Sequence, residues 1–224
     1  RESYVDTYLR EEVQAEALTR NIGGFARFLE VAARQNGQVT NTAGISRDAQ
    51  VARQTVQGYF DVLVDTLLGN WLPAWKLKRA TKLVAHPKFF FFDAGVAGAL
   101  TGRLAYPPTP EELGTLFETW LLHELRAFIS YSGLGYPLHF FRTHDSVEVD
   151  VLLETRDGFL ALEFKTATEW RSAWSNGFRR VREELKGVRC IGVFAGDRKQ
   201  KAAEAELWPY PDFLKALWSG QLLR

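Results

Sequence analysis

The sequence predicts an α/β protein in two parts: a helical first half carrying a small β hairpin, and a second half in which helices cover a sheet. Three observations carry this. Apolar residues recur at helical spacing through residues 25–68. Aromatic and basic residues then alternate through residues 70–95. From residue 138 onward, short apolar strands interchange with helical segments.

Residues 3–20 place Tyr4, Tyr8 and Leu9 at helical intervals among charges, which predicts a connector helix over 1–22. A second helix, Phe25 to Asn36, carries Phe25, Phe28, Leu29, Ala32 and Ala33 on one stripe and ends before Gly37. A short helix over Thr42 to Ala49, a break, and a longer helix from Arg53 to Leu68 follow. The core face of the longer helix is expected at Val56, Phe60, Leu63, Val64 and Leu67. The stretch from Asn70 to Gly95 reads as two strands joined by a turn. Three helices and a basic hairpin make a winged helix-turn-helix over 23–102. Pro107, Pro108 and Pro110 mark a linker over 103–112.

The second part, 113–224, opens with an amphipathic helix from Leu113 to Tyr131, with Phe117, Leu121, Leu125 and Phe128 on one face. Strands are expected at Leu138–Arg142, Glu148–Leu153 and Phe159–Lys165. A partly helical stretch to Lys186, an apolar strand at Val188–Phe194 and a helix from Pro211 to Gly220 complete it.

Composition bounds the function. The 224 residues are 46% hydrophobic and 25% charged, enough for a real core. Against 28 basic side chains stand 27 acidic ones, so any attraction for nucleic acid must be local. The first 110 residues are the basic half, with 13 basic and 10 acidic side chains. The single Cys190 has no disulfide partner, forms no zinc pattern with His86, His123, His139 or His144, and lies in an apolar run that suits an inert buried thiol. No apolar stretch reaches the ~20 residues of a membrane span, and no signal peptide opens the chain, so a cytoplasmic location with no membrane partner is expected. Methionine is absent and the first residue is Arg1, as expected of a piece of a longer protein.

The segment EVDVLLETRDGFLALEFK, residues 148–165, carries the chemistry. Its Asp-Gly pair predicts a hairpin. A four-residue loop sets Asp150 opposite Glu163, and a two-residue Asp157-Gly158 turn sets it opposite Lys165. Either register gathers Asp150, Glu163 and Lys165 on one face, whereas a three- or five-residue loop without a bulge does not. Two carboxylates can hold Mg²⁺ while water and a phosphate oxygen fill its other positions. Lys165 is then placed to orient water or meet developing charge. The plain alternative is a solvated strand face with cross-strand ion pairs.

Asp150, the Glu163-Phe164-Lys165 run and Glu118 in the preceding helix resemble the PD-(D/E)xK restriction-endonuclease-like superfamily. The resemblance implies a three-layer α/β fold, metal binding by Asp150 and Glu163, an accessory acid at Glu118 and an assisting Lys165. Val149 stands where the superfamily's proline-acid pattern would put proline. The wider pattern is RQTVQGYFDVLVDTLL, then HPKFFFFDAGVAGAL, LFETWLLHEL, FFRTHDSVEVDVLLE and LALEFK. It is similar to the carboxy-terminal region of prokaryotic archaeal-type AAA ATPases, a winged helix followed by an endonuclease-like domain of unknown function. That resemblance implies an amino-terminal AAA ATPase domain as partner. No G-x-x-x-x-G-K-[ST] stretch occurs, so ATP is expected to bind only through that missing domain.

DNA is the expected partner of the first part. Arg53, Gln54 and Gln57 lie in the early turns of the third helix, away from its core stripe. Lys76, Lys78, Arg79, Lys82 and Lys88 supply five charges of the hairpin without an intervening acid. Asp48, Asp61 and Asp65 dilute the charge of the helical face, which also suits a protein-binding role. The run Phe89–Phe92 reads as a buried strand, Trp170 and Trp174 as packing residues, and His144 as a loop histidine within reach of acid-base work. Two functions remain open: Mg²⁺-dependent phosphodiester hydrolysis, and a non-catalytic DNA- or protein-binding module that recruits the ATPase.

Overall fold

Residues 21–76, 86–103 and 105–224 are described by the computed structural model. The expected connector helix over 1–22 therefore lies almost wholly outside the described residues, as do Lys78, Arg79 and Lys82. The chain divides into two compact units. One runs to Trp71 and takes in His86–Thr119; the other holds Leu72–Ala85, as far as described, and Trp120–Arg224.

In the first unit, α1 (Ile22–Arg34), α2 (Thr42–Ala49) and α3 (Arg53–Asp65) precede a two-stranded sheet of β1 (Gly69–Leu72) and β2 (Lys88–Phe91). Asn21 and Asn41 begin α1 and α2 by accepting the backbone N–H groups of Gly24 and Gly44, which the helix start leaves without partners. Gln50, left-handed at φ 54°, turns the chain from α2 towards α3. The stripes of the helices meet as Phe25, Phe28, Leu29, Ile45, Val56, Tyr59, Phe60 and Leu63, closed by Phe89 and Phe91. Val39 pairs with Lys88, adding a bridge to the sheet.

Several expectations need correction here. The third helix stops at Asp65, so Leu67 takes a left-handed φ of 61° and is 78% exposed; Tyr59 replaces it in the core. A further helix, α4 (Ala94–Leu100), follows β2, opened by Asp93 accepting from Gly95 and Val96 N–H. The linker expected over 103–112 belongs to the first unit. Arg103 pairs bidentately with Glu112 there, and Glu112 and Thr109 cap the start of α5 (Pro110–Tyr131). The middle of the expected hairpin also departs, since residues 72–76 group with the second unit.

The second unit holds a six-stranded sheet in the order β3-β4-β5-β6-β8-β7: β3 (Leu138–Arg142), β4 (Glu148–Thr155), β5 (Gly158–Lys165), β6 (Val188–Phe194), β7 (Gln200–Lys201) and β8 (Glu206–Pro209). The first three strands are an antiparallel meander, while β5, β6 and β8 run parallel. Helix α6 (Asn176–Glu184) packs Phe178 and Val181 on the face holding Ala161, Cys190 and Phe194. Phe213 of α7 (Tyr210–Trp218) meets Phe164 on the other face, 6.2 Å between ring centres. At one edge, Ala74 bridges to Phe140 of β3. At the other, β7 has two exposed residues. Among the described residues, no helix is long and apolar enough to cross a membrane.

Candidate functional site

The hairpin of β4 and β5 closes on Thr155 opposite Gly158. The Thr155 hydroxyl donates to the Gly158 carbonyl, and Gly158 takes φ 121°, which a side chain would strain. Pairs two apart on such a ladder share a face, and the register runs to Val151 opposite Leu162. This is the frame of the four-residue loop, Glu154 standing opposite Phe159, and beside Asp150 the pairing of β4 with β3 shifts register between His139–Leu152 and Phe141–Val149. The ladder does not continue there. Instead the Asp150 carboxylate accepts the Phe164 N–H at 2.7 Å, substituting for a backbone carbonyl.

Asp150 and Glu163 are each 8% exposed. Lys165 Nζ lies 2.5 Å from Glu163 Oε1 and 4.0 Å from Asp150 Oδ2. Burial makes charges costly unless they are paired, so this grouping holds together as a unit. On β5, Ala161, Glu163 and Lys165 alternate with Leu160, Leu162 and Phe164, so the polar pair emerges at the carboxyl end of a strand anchored on both faces. Glu163 pairs in register with Gly192 of β6, where an added Cβ would fall 2.4 Å from the Trp170 ring. Trp170 thus forms a wall beside the acid; its stacking on Phe178 and edge contact with Trp174 fit a packing residue.

The donor set fits a hard cation in kind. Two carboxylates offer the oxygen ligands that a hard cation takes, while the Lys165 ammonium is already paired with one of them. The set is small: among the described residues no cluster of three or more His, Cys, Asp or Glu side chains could hold a metal.

Glu118 lies in the first unit, where it accepts from Lys88 Nζ at 3.2 Å. This corrects the expectation for Lys88. It is 4% exposed and committed to an ion pair, hence no surface contact for phosphate. Arg53, Gln54 and Gln57 are exposed on α3, with Gln57 donating to Asp61, and Lys76 is exposed as well. His144 lies exposed in the β3–β4 loop beside Asp145. Cys190 is buried, and burial pushes its thiol above the ordinary range. The Asp150–Phe164 hydrogen bond and the Trp170 wall were invisible to periodicity, because a side chain replacing a ladder acceptor leaves no mark in residue spacing.

Residues 1–106 match a domain of unknown function (DUF8612), and residues 113–213 match another (DUF4143). An uncharacterized protein of Mycobacterium bovis and one of Mycobacterium tuberculosis are each 25% identical over 226 residues, covering 100% of this chain and 48% of theirs. The chain therefore spans about half the length of these curated relatives. No solved structure matches it.

Proposed function

We propose that the second unit is a restriction-endonuclease-like domain that hydrolyses phosphodiesters with Mg²⁺, and that the first is a winged helix-turn-helix that docks it on DNA. The observation that carries the reading is the buried Asp150–Glu163 pair sharing the Lys165 ammonium at the carboxyl end of β5. Asp150 and Glu163 would hold the cation, with the Phe164 N–H fixing the Asp150 carboxylate in place. Held by Asp150 and Glu163, Mg²⁺ would supply Lewis-acid polarisation of the phosphodiester. Lys165, 26% exposed at its side chain and within reach of both acids, orients water and meets the charge that develops on the phosphate. Arg53, Gln54 and Gln57 on the solvent face of α3 contact DNA, and the cations Lys76, Lys78, Arg79 and Lys82 are further contacts for phosphate. The working partner is an amino-terminal AAA ATPase half, which carries the ATP site, in a prokaryotic cytoplasm. Supporting this are the relatives of twice the length and the occurrence of the second domain among AAA-ATPase-associated proteins.

The second reading, a non-catalytic module that recruits the ATPase to DNA or to a protein, is favoured by the small donor set of two acids. Plasmid nicking in Mg²⁺ and Mn²⁺ separates the two. Hydrolysis predicts metal-dependent nicking that Lys165→Ala lowers roughly a hundredfold, with its circular dichroism unchanged. Nicking that survives in that variant removes the catalytic assignment; DNA binding with no nicking in either metal leaves the recruiting module.

A further inference from the structure

In the second unit, the margin of the sheet formed by β7 and β8 gathers positive charge that nothing around it neutralises. Lys201 of β7 stands opposite Glu206 of β8 on the antiparallel ladder, where two such side chains share a face. Ladder geometry alone would pair them, yet no ion pair joins them. Glu206 is taken from its other flank. Arg189 of β6 donates to both carboxylate oxygens, at 2.8 and 3.2 Å, and the Trp208 indole N–H donates to Oε2 at 3.2 Å. A guanidinium fork matches a carboxylate better than a single ammonium does. Its hydrogen bonds hold the Glu206 carboxyl below the usual carboxylate range, so the acid stays ionised and its charge is spent on Arg189.

Lys201 is thereby left with its full charge. Lys199, two residues earlier, is placed by a ring instead of an acid: its Nζ stands 3.8 Å from the centre of the Trp208 ring, with the Arg189 guanidinium 5.4 Å from the same centre. Such a contact holds an ammonium in position without cancelling its charge. Arg198 extends the row. All three cations are exposed, and among the described residues none of them forms an ion pair. Of the acids nearby, Glu204 is drawn to Arg179 at 3.8 Å, which leaves Asp197 alone to dilute the row.

We propose that this margin of the sheet is a contact for the phosphodiester backbone of nucleic acid, with Lys199 and Lys201 each meeting one phosphate. Two residues of extended chain span about 6.6 Å, so the two heads suit a repeating charge better than a single anion. A compact, hydrated ammonium is a point charge of the kind that meets backbone phosphates. A peptide strand, by contrast, needs a row of backbone groups to pair with, and β7 offers two residues. The contact gives the second unit a nucleic-acid surface of its own, and it stands whether or not the Asp150–Glu163 pair cleaves.

Fluorescence anisotropy of a short labelled duplex with the full chain tests it, in EDTA so that binding is read apart from any metal-dependent nicking. Lys199→Gln with Lys201→Gln should reduce the slope of log affinity against log salt by about 2, with circular dichroism unchanged, and Lys199→Arg with Lys201→Arg should keep the slope. Removing the same charge at two other exposed positions of the unit, Lys186→Gln with Lys215→Gln, should also leave it in place. Three results overturn the proposal. These are an unchanged slope in the Lys199 and Lys201 glutamine variant, an equal fall in the Lys186 and Lys215 variant, which would mean that net charge and not this margin acts, or tighter binding of labelled hexaglutamate than of the duplex, which would assign the lysines to an acidic peptide.

Discussion

Gly177 opens α6 against the backbone of β4, and a Cβ there would fall 2.2 Å from the Glu148 carbonyl oxygen, a distance no neighbour can relieve by turning a side chain. Gly177→Ala must push the helix off the strand that carries Asp150. We expect a loss of about 1–3 kcal/mol in urea unfolding. Gly114, in the first turns of α5 with nothing within 4 Å, should behave oppositely. There alanine relieves the helix-interior cost of glycine, and Gly114→Ala should gain about 0.5–1 kcal/mol. At this scale the sequence was a fair guide to chemistry and a poorer one to placement. Glu163 and Lys165 were legible as neighbours because a period of two sets them on one face of β5, whereas Asp150 joins them beside a register shift of β4, held by the Phe164 N–H. Lys88 was not: in sequence it is one more cation of a basic hairpin, and only the ion pair with Glu118 shows it buried.

Elements with strong periodicity or turn chemistry were the ones readable in advance: α2, β3 and β6 at their observed bounds, and the β4–β5 hairpin within two residues. Those missed are short or compositionally bland. Helix α4 is built of alanine and glycine with few large side chains to show a stripe, and β8 is four residues ending in Pro209. The edge of β3 was also unforeseen, because nothing local says that Pro73 and Trp75 lie along it. Trp75 N–H donates to the Phe140 carbonyl at 2.7 Å, the Phe140 N–H donates to the Pro73 carbonyl, and the Trp75 ring covers His139 at 5.0 Å. Burial lowers the pKa of His139 below its ordinary value near 6.5. The unfolded chain then binds a proton more readily than the folded one, so stability is full above about pH 6.5 and falls as pH drops through that value towards the folded pKa. Urea midpoints at pH 8 and pH 5 should differ more for the unchanged chain than for His139→Gln, in which this contribution to the slope is gone.

For the molecule as a whole, a net charge of +1 means that nucleic-acid affinity has to arise from a few positions. If α3 and the exposed Lys76 contact phosphates, the double change Arg53→Gln with Lys76→Gln should reduce the slope of log affinity against log salt by about 2. Fluorescence anisotropy on a labelled duplex reads this, and an unchanged slope would place the contact elsewhere. The division of the chain was only half legible. Prolines around 107–110 do fall between the two domain matches, at 106 and 113, but prolines report backbone stiffness and not packing, and the compact units part ten residues later, inside α5. The flanks of the large sheet have a consequence of their own. One side is occupied by residues 73–75 and the other is a two-residue strand with an exposed lysine, so neither margin offers a long row of open amides on which another chain could grow. Fibril growth from crowded or heat-stressed copies must therefore wait until one of these small guards peels away.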